Sequence, residues 1–230
     1  MIVLITGATA GFGEAMARRF VKEGHRVIAT GRRQDRLDAL RSELGADRVH
    51  TLMLDVRSHE AVTQAITNLP SEWSEIDILV NNAGLAAGVE VAQAASLDDW
   101  DAMVDTNIKG VLYMTRAVLP GMVARDRGHI VNIGSTAGSY AYAGGSVYGA
   151  SKAFVRQFSL ALRSDLHGTR VRATDIEPGL VGGTEFSTVR FSGDAEKASK
   201  MYENADPLTP DDIAETVHWV TSLPARVNVN

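Results

Sequence analysis

Apolar residues in this chain gather in short runs, separated by stretches in which they recur every three or four positions. The runs predict strands at Ile2–Ile5, Arg26–Thr30, Val49–Leu54, Ile76–Val80, His129–Ile133 and Arg170–Ile176. The periodic stretches predict helices at Gly13–Glu23, Asp35–Leu44, Ser58–Leu69, Leu97–Ala124 and Ser146–His167. Pro210 followed by Asp211 and Asp212 reads as the start of another helix, over Asp211–Leu223. Strands that are apolar throughout, with no polar alternation, belong in a sheet covered on both faces. Regular strand–helix alternation makes right-handed βαβ units. The expected fold is therefore α/β: one domain over residues 1–230, a doubly wound, mostly parallel sheet with helices on both faces.

One segment breaks this rhythm. Gly182–Asp206 is rich in Gly and Ser, then polar, with a weak helical patch at Ala195–Glu203. Ligands of such sheets bind beyond the carboxyl ends of the strands. A long excursion after the Arg170–Ile176 strand is thus a candidate lid over residues 182–206, the alternative being a plain surface loop.

Composition removes several classes of function. Hydrophobic residues make up 45% and charged residues 22%, which is ordinary globular chemistry. The net charge of −5, with both signs interspersed, argues against a general nucleic-acid binder. With no cysteine there are no disulfides, thiolate metal sites or Cys nucleophiles, and no metal site is expected. The run Met1–Ile5 is too short for a signal peptide or a membrane span, and no other apolar run reaches spanning length. A soluble cytoplasmic protein is expected.

The chemistry starts at the first strand. Thr6-Gly7-Ala8-Thr9-Ala10-Gly11-Phe12-Gly13 follows it directly and opens a helix. Gly7 allows the sharp turn, Gly11 lets backbone approach a pyrophosphate, and Gly13 permits close helix–strand packing. The phosphates would meet free N–H groups at a positive helix end. This placement points to a dinucleotide and a Rossmann fold. After the second strand come Arg32 and Arg33, where an NAD enzyme would carry Asp or Glu for the ribose 2′-hydroxyl. Their forked donors suit a 2′-phosphate, so NADP is the expected cofactor; otherwise the pair is a solvated basic turn. Asp35 is expected to cap the following helix. Asp55-Val56 and Asn81-Asn82-Ala83-Gly84 end the third and fourth strands, where adenine and ribose should lie, although Asn-Asn-Ala-Gly could also be a simple turn.

Tyr148 and Lys152 stand at i and i+4, so on a helix their Cβ atoms lie about 6 Å apart on one face. A phenol titrating near pH ~10 is a poor base at neutrality, and a nearby cation favours its ionised form. Lowering that value by ~2–3 units needs about 3–4 kcal/mol. One lysine supplies part of this, and a second positive charge would help. An amphipathic helix with a snorkelling lysine is the competing explanation.

Taken together, these residues resemble the short-chain dehydrogenases/reductases. The Thr-Gly-xxx-Gly-x-Gly loop, Asn-Asn-Ala-Gly, a Ser on the fifth strand and Tyr-xxx-Lys all occur in order over residues 2–186. Within that family the chain is most similar to the bacterial NADP-dependent 3-hydroxy acid dehydrogenases, also called serine or L-allo-threonine dehydrogenases. That similarity runs nearly end to end, through Ala29–Arg33, Tyr142–Gly145, Lys152–Ser159 and Glu177–Phe186. It implies that Tyr148 is the acid/base and that Lys152 lowers its pKa while holding the nicotinamide ribose. It also implies that Ser135 hydrogen-bonds the substrate oxygen and that Asn107 holds a water linking Lys152 to solvent. Without the resemblance, Ser135 and Ser139 read as turn residues and Asn107 as a helix-packing residue. Pro178, Gly179, Val181 and Thr184 fall in the segment that covers the nicotinamide, with one residue more than usual between Pro178 and Thr184. Close relatives also continue past the equivalent of Val227–Asn230 through a final strand and tail.

A 3-hydroxy acid substrate needs a group for its carboxylate, and Arg190 in the lid segment is the candidate. Two rivals remain. A 3-oxoacyl carrier-protein reductase would share the catalytic set, with Arg125 and Arg127 available to an acidic carrier; a non-catalytic NADP(H) sensor would not need it intact. The apolar excess on Leu97–Ala124 and Ser146–His167 is the family's means of assembly, which implies a homotetramer. Neither nucleic acid nor membrane is expected as a partner.

Overall fold

The computed structural model describes residues 1–191, 193–200, 202–203 and 205–230. Six strands form the sheet: β1 (Ile2–Ile5), β2 (Arg26–Gly31), β3 (Val49–Met53), β4 (Ile78–Asn81), β5 (Gly128–Ile133) and β6 (Val171–Ile176). Their spatial order is β3-β2-β1-β4-β5-β6, and every pairing among them is parallel, where the sequence suggested only mostly parallel. The order reverses between β1 and β4, which leaves a crevice at their carboxyl ends.

The period-2 geometry of a strand sends alternate side chains of β1 into two separate cores. Val3 and Ile5 pack on one side with Met16 and Phe20 of α1 (Gly11–Lys22), Leu37 of α2 (Gln34–Leu44) and Val217. Ile2 and Leu4 pack on the other with Val62 of α3 (His59–Thr67), Met114 and Leu162. Both sides of β1 are therefore dry, which is why that strand carries no polar residue.

The expected Leu97–Ala124 helix is not continuous. It divides into α4 (Leu97–Val104), a π-helical turn at Asp105–Lys109 and α5 (Gly110–Ala124). Gly110 marks the seam: a Cβ there would stand 2.7 Å from Cγ2 of Val56, so the helix restarts where only glycine fits against that loop. The wider turn carries Asn107, whose side chain is buried against the loop after β4. α6 runs over Ser146–Asp165.

The 182–206 segment holds two short helices, α7 (Phe186–Arg190) and α8 (Ala195–Lys200), where the sequence suggested a single patch. Part of that patch, Met201, lies outside the described residues. Finally α9 (Pro210–Ser222) starts as expected, with Pro210 in the first turn and a reciprocal capping box between Thr209 and Asp212. Asp35 does not cap α2. Arg33 is the N-cap, and Asp35 lies in the first turn, where its charge meets the positive helix end. Residues 227–230 lie along the β6 edge without forming a strand: Asn228 Oδ1 accepts from the Ala173 amide (3.2 Å) and the Val229 carbonyl from the Thr174 hydroxyl (2.8 Å).

Candidate active site

The carboxyl ends of the strands open into a cavity of about 1000 Å³. Its floor is the glycine loop. Gly7 and Gly11 have φ of +67° and +52°, in the left-handed region that favours glycine. A Cβ on Gly13 would run into the Gly7 carbonyl oxygen, so that glycine sets how closely α1 approaches β1. Ala10 is the N-cap of α1 and offers no side-chain acceptor. The first amides of this helix are left for an outside anion, as a pyrophosphate requires. Thr9, Ala10, Gly11 and Phe12 all line the cavity.

Thr6 and Asn82 fasten this loop to β4. The Thr6 hydroxyl accepts from the amides of Asn82 and Ala83, both at 2.9 Å. In return Asn82 Nδ2 donates to the carbonyls of Thr6 (2.8 Å) and Gly7 (3.2 Å). Asn-Asn-Ala-Gly is thus more than a turn, since Asn82 sets the shape of the glycine loop while Ala83 and Gly84 form the cavity wall.

At the far end, Arg32 is exposed and Arg33 is held. Arg33 Nη2 donates to the Thr9 carbonyl and hydroxyl (both 3.2 Å), and Nη1 pairs with Glu185 at 2.9 Å. Asp55 is bound by Arg57 (2.6 Å), which holds its carboxyl below the usual range. Val56 is buried against Gly110.

The reacting end is built on β5, β6 and α6. Ser135 follows β5 and caps a single 3₁₀ turn, Thr136–Gly138, by accepting from the Ala137 amide (3.1 Å). A Cβ on Gly138 would stand 2.8 Å from the Lys152 carbonyl carbon, and one on Gly149 2.9 Å from the Ala137 oxygen. These two glycines let the Ser135 turn press against α6, bringing Ser135, Tyr148 and Lys152 to one wall. Sequence reasoning did not single them out, because their role depends on a contact between distant segments.

Lys152 is buried and donates to the Ile133 carbonyl (2.7 Å), with its Nζ 5.8 Å from the centroid of the Tyr148 ring. Burial pushes its pKa down to about 8, while Asp175 acts to raise it. The Tyr148 phenol is pushed above its ordinary value, first by burial, with the Ser135 hydroxyl and the Arg190 charge acting to lower it. Lys152 therefore faces the ring and the β5 carbonyl, and a further positive charge at the phenol is needed to make a base.

Asn107 is buried and its amide is fully engaged. Nδ2 donates to the Leu85 carbonyl (2.8 Å) and the Ser151 hydroxyl (3.0 Å), and Oδ1 accepts from the Leu85 amide (2.9 Å). The side chain pins the loop after Gly84. A Cβ on Gly84 would lie 3.3 Å from Asn107 Oδ1 and 3.5 Å from Lys152 Nζ, so all three meet at one point.

The 182–206 segment lies across the cavity. The methyl of Thr184 reaches Gly11, and the Thr184 hydroxyl accepts from the Phe186 amide (3.2 Å). The ring of Phe186 stands 5.7 Å from that of Tyr148, and the guanidinium of Arg190 lies over Tyr142 at 5.1 Å. Arg190 Nε is buried without a hydrogen-bond partner. Pro178 accepts through its carbonyl from the Thr136 amide (3.1 Å), tying the segment after β6 to the Ser135 turn, while Gly179 and Val181 line the cavity beyond it. Arg125 and Arg127 lie at the amino ends of β4 and β5, away from the cavity, engaged by the Ile76 carbonyl (2.8 Å) and by Asp77 (2.8 Å).

A parallel sheet of this order, with a glycine loop at its crevice and a Ser–Tyr–Lys wall, defines a dinucleotide-dependent oxidoreductase. The family model described as short chain dehydrogenase matches residues 1–194, and the chain belongs to that family. It is 69% identical over 230 residues to the NADP-dependent 3-hydroxy acid dehydrogenase YdfG of Salmonella typhi, covering 100% of this chain and 92% of that one. It is 53% identical over 228 residues to the serine 3-dehydrogenase of Rhizobium radiobacter, covering 99% and 90%. Among solved structures it matches the closed form of a serine dehydrogenase complexed with NADP+ (TM-score 0.98, 66% identity, 100% and 92% coverage). No helix among the described residues is long and apolar enough to cross a membrane.

Proposed function

We propose that this enzyme oxidises the 3-hydroxyl of short 3-hydroxy acids, namely L-serine, L-allo-threonine and 3-hydroxypropionate, the last giving malonic semialdehyde. The cofactor is NADP, which when bound supplies the hydride acceptor and a positive ring at the reacting end. The free N-terminal amides of α1, the cradle of Gly7–Gly13 and the cations Arg32 and Arg33 fit its phosphates. Asp55, Val56, Asn82, Ala83, Gly84, Pro178, Gly179, Val181 and Thr184 complete its surroundings, with residues 182–206 as the lid.

Tyr148 takes the hydroxyl proton as the C–H pair leaves as hydride. Ser135 holds the substrate oxygen, Lys152 holds the ribose and favours the Tyr148 phenolate, and Asn107 supports a water between Lys152 and solvent. The observation that carries the substrate class is the charge at the reacting end. Arg190 stands beside Tyr142 with a buried donor still free, while Asp55 and Glu185, the acidic side chains of the cavity wall among the described residues, lie at the far end and are engaged by Arg57 and Arg33. A free guanidinium donor at that place suits a substrate carboxylate. Arg125 and Arg127, at the amino ends of β4 and β5, lie away from the cavity, which favours free acids over a carrier-bound substrate. An assay of NADP+ against NAD+ over a panel of short 3-hydroxy acids, thioesters and uncharged alcohols tests the reading. NADP+-linked turnover confined to free acids is expected, and a preference for thioesters would overturn it.

The same reading makes the protein a cytoplasmic homotetramer, supported by apolar side chains left exposed on α5 and α6, such as Val123 and Leu160. Light scattering at a monomer's mass would contradict the assembly.

A further inference from the structure

Asp175 is anomalous. It lies near the end of β6, beside the uncharged Asn132 of β5, and it is only 8% exposed. Both of its carboxylate oxygens are buried without a hydrogen-bond partner. Natural proteins leave few buried polar groups in that state, and an ion so placed needs a compensating charge.

The face it occupies identifies the compensation. Side chains alternate along β6, so Asp175 shares a face with Ala173, which packs in the core beneath α5 and α6. Glu177, two positions on, follows the same side and pairs with Arg156 of α6 at 3.2 Å. Arg156 is one helical turn beyond Lys152, so two cations spaced i and i+4 on the helix face two carboxylates spaced i and i+2 at the strand end. The outer pair, Arg156–Glu177, is in contact with solvent; the inner pair, Lys152 and Asp175, is buried. Both inner groups converge on one turn. Lys152 Nζ donates to the Ile133 carbonyl, and a Cβ on the next residue, Gly134, would meet Asp175 Oδ1 at 2.5 Å. From β5, the residue abreast of Asp175 is the uncharged Asn132, whose Nδ2 is used by Ser159 (2.8 Å).

We propose that Asp175 is a positioning residue that acts through Lys152: it is the buried counter-charge that keeps this lysine protonated beneath the cofactor site, and Glu177 sets how far Asp175 is ionised. Burial drives Lys152 down to about 8, and Asp175 is the charge that opposes it. Burial first, then Glu177, pushes Asp175 up to about 7, while Lys152 draws it down. Lys152 and Asp175 therefore titrate as a pair close to neutrality. The proposal rests on the reading of Tyr148 and Lys152 as the reacting pair.

The test is an NMR titration of Lys152 in the cofactor-free protein, with 13C-labelled lysine assigned by comparison with a Lys152→Met sample. Asp175→Asn should lower the Lys152 midpoint by about one pH unit. Glu177→Gln should raise it, because it frees Arg156 and removes the charge that keeps Asp175 protonated. A purely structural role would not produce shifts of opposite sign. An unchanged or raised midpoint in folded Asp175→Asn overturns the proposal. If that variant does not fold, a Glu177→Gln midpoint that is unchanged or lowered overturns it. With cofactor and substrate present, the alkaline limb of the activity profile should move with the midpoint. Failure of the Tyr148 reading is distinct, since it would appear as turnover retained in Tyr148→Phe with the Lys152 shifts intact.

Discussion

Arg33 and Glu185 form a 2.9 Å ion pair between the turn after β2 and the segment leading into α7. The same guanidinium grips Thr9 of the glycine loop at 3.2 Å. The cation proposed to read a 2′-phosphate is thus shared with the proposed lid. Both side chains are about half exposed, so the pair is worth only ~0.2–1 kcal/mol. A phosphate can displace it.

Arg33→Ala should weaken NADP+ binding by about 10–100-fold and NAD+ binding hardly at all. Glu185→Gln should tighten NADP+ by up to about fivefold, by removing the competitor for Arg33. Calorimetric titration checks both. Equal losses for the two cofactors in Arg33→Ala would remove the role in selectivity.

Arg190→Met should raise the KM for L-serine by about 10–100-fold while an uncharged alcohol is affected little, since a charge-assisted bond to carboxylate is worth about 1.5–3 kcal/mol. Steady-state kinetics on both substrates decides it. A parallel change in the two would discard Arg190 as the carboxylate contact.

Asn107→Ala removes three side-chain hydrogen bonds and leaves the Leu85 amide and carbonyl without these partners. We expect a loss of about 2–4 kcal/mol and a Tm lower by about 5–12 °C, together with reduced turnover. A melt within one or two degrees of the parent would show that the Leu85 loop does not depend on this side chain.

His129 is buried, with Nε2 on the Thr174 hydroxyl (2.9 Å) and Nδ1 unpartnered. Burial pushes its pKa down to about 3 from 6.5. The folded value is depressed, so between those limits the unfolded chain binds more protons, and stability is lost as pH falls from 6.5 towards 3. Asp175, raised to about 7, carries the opposite slope over part of this range. The difference between parent and His129→Leu isolates the histidine. Urea unfolding should show the parent losing about 1.4 kcal/mol per pH unit relative to the variant. A constant difference from pH 6.5 to 4.5 would contradict a neutral buried His129.

The sheet and its helices were legible because their cause is local: a continuous apolar run such as Ile2–Ile5 belongs in a sheet covered on both faces. The glycine loop and the Tyr148–Lys152 pair were legible because their spacing carries their geometry. What the sequence hid depends on contacts between distant segments. The break at Gly110 is set by Val56, the approach of the Ser135 turn by Gly138 and Gly149 against α6 and its neighbours, and the hold on Arg33 by Glu185. Asn107 was visible as a site residue, but its grip on Leu85 was not. Asp175 did not stand out in the mixed run Arg170–Ile176, because its surroundings on α6 come from a distant segment.

If Tyr148 removes the substrate proton, turnover of L-serine with NADP+ should collapse in Tyr148→Phe, which keeps the ring beside Phe186 and loses only the hydroxyl. The expected result is a fall in kcat of about a thousandfold or more with NADP+ affinity preserved. Turnover within a few-fold of the parent would contradict it.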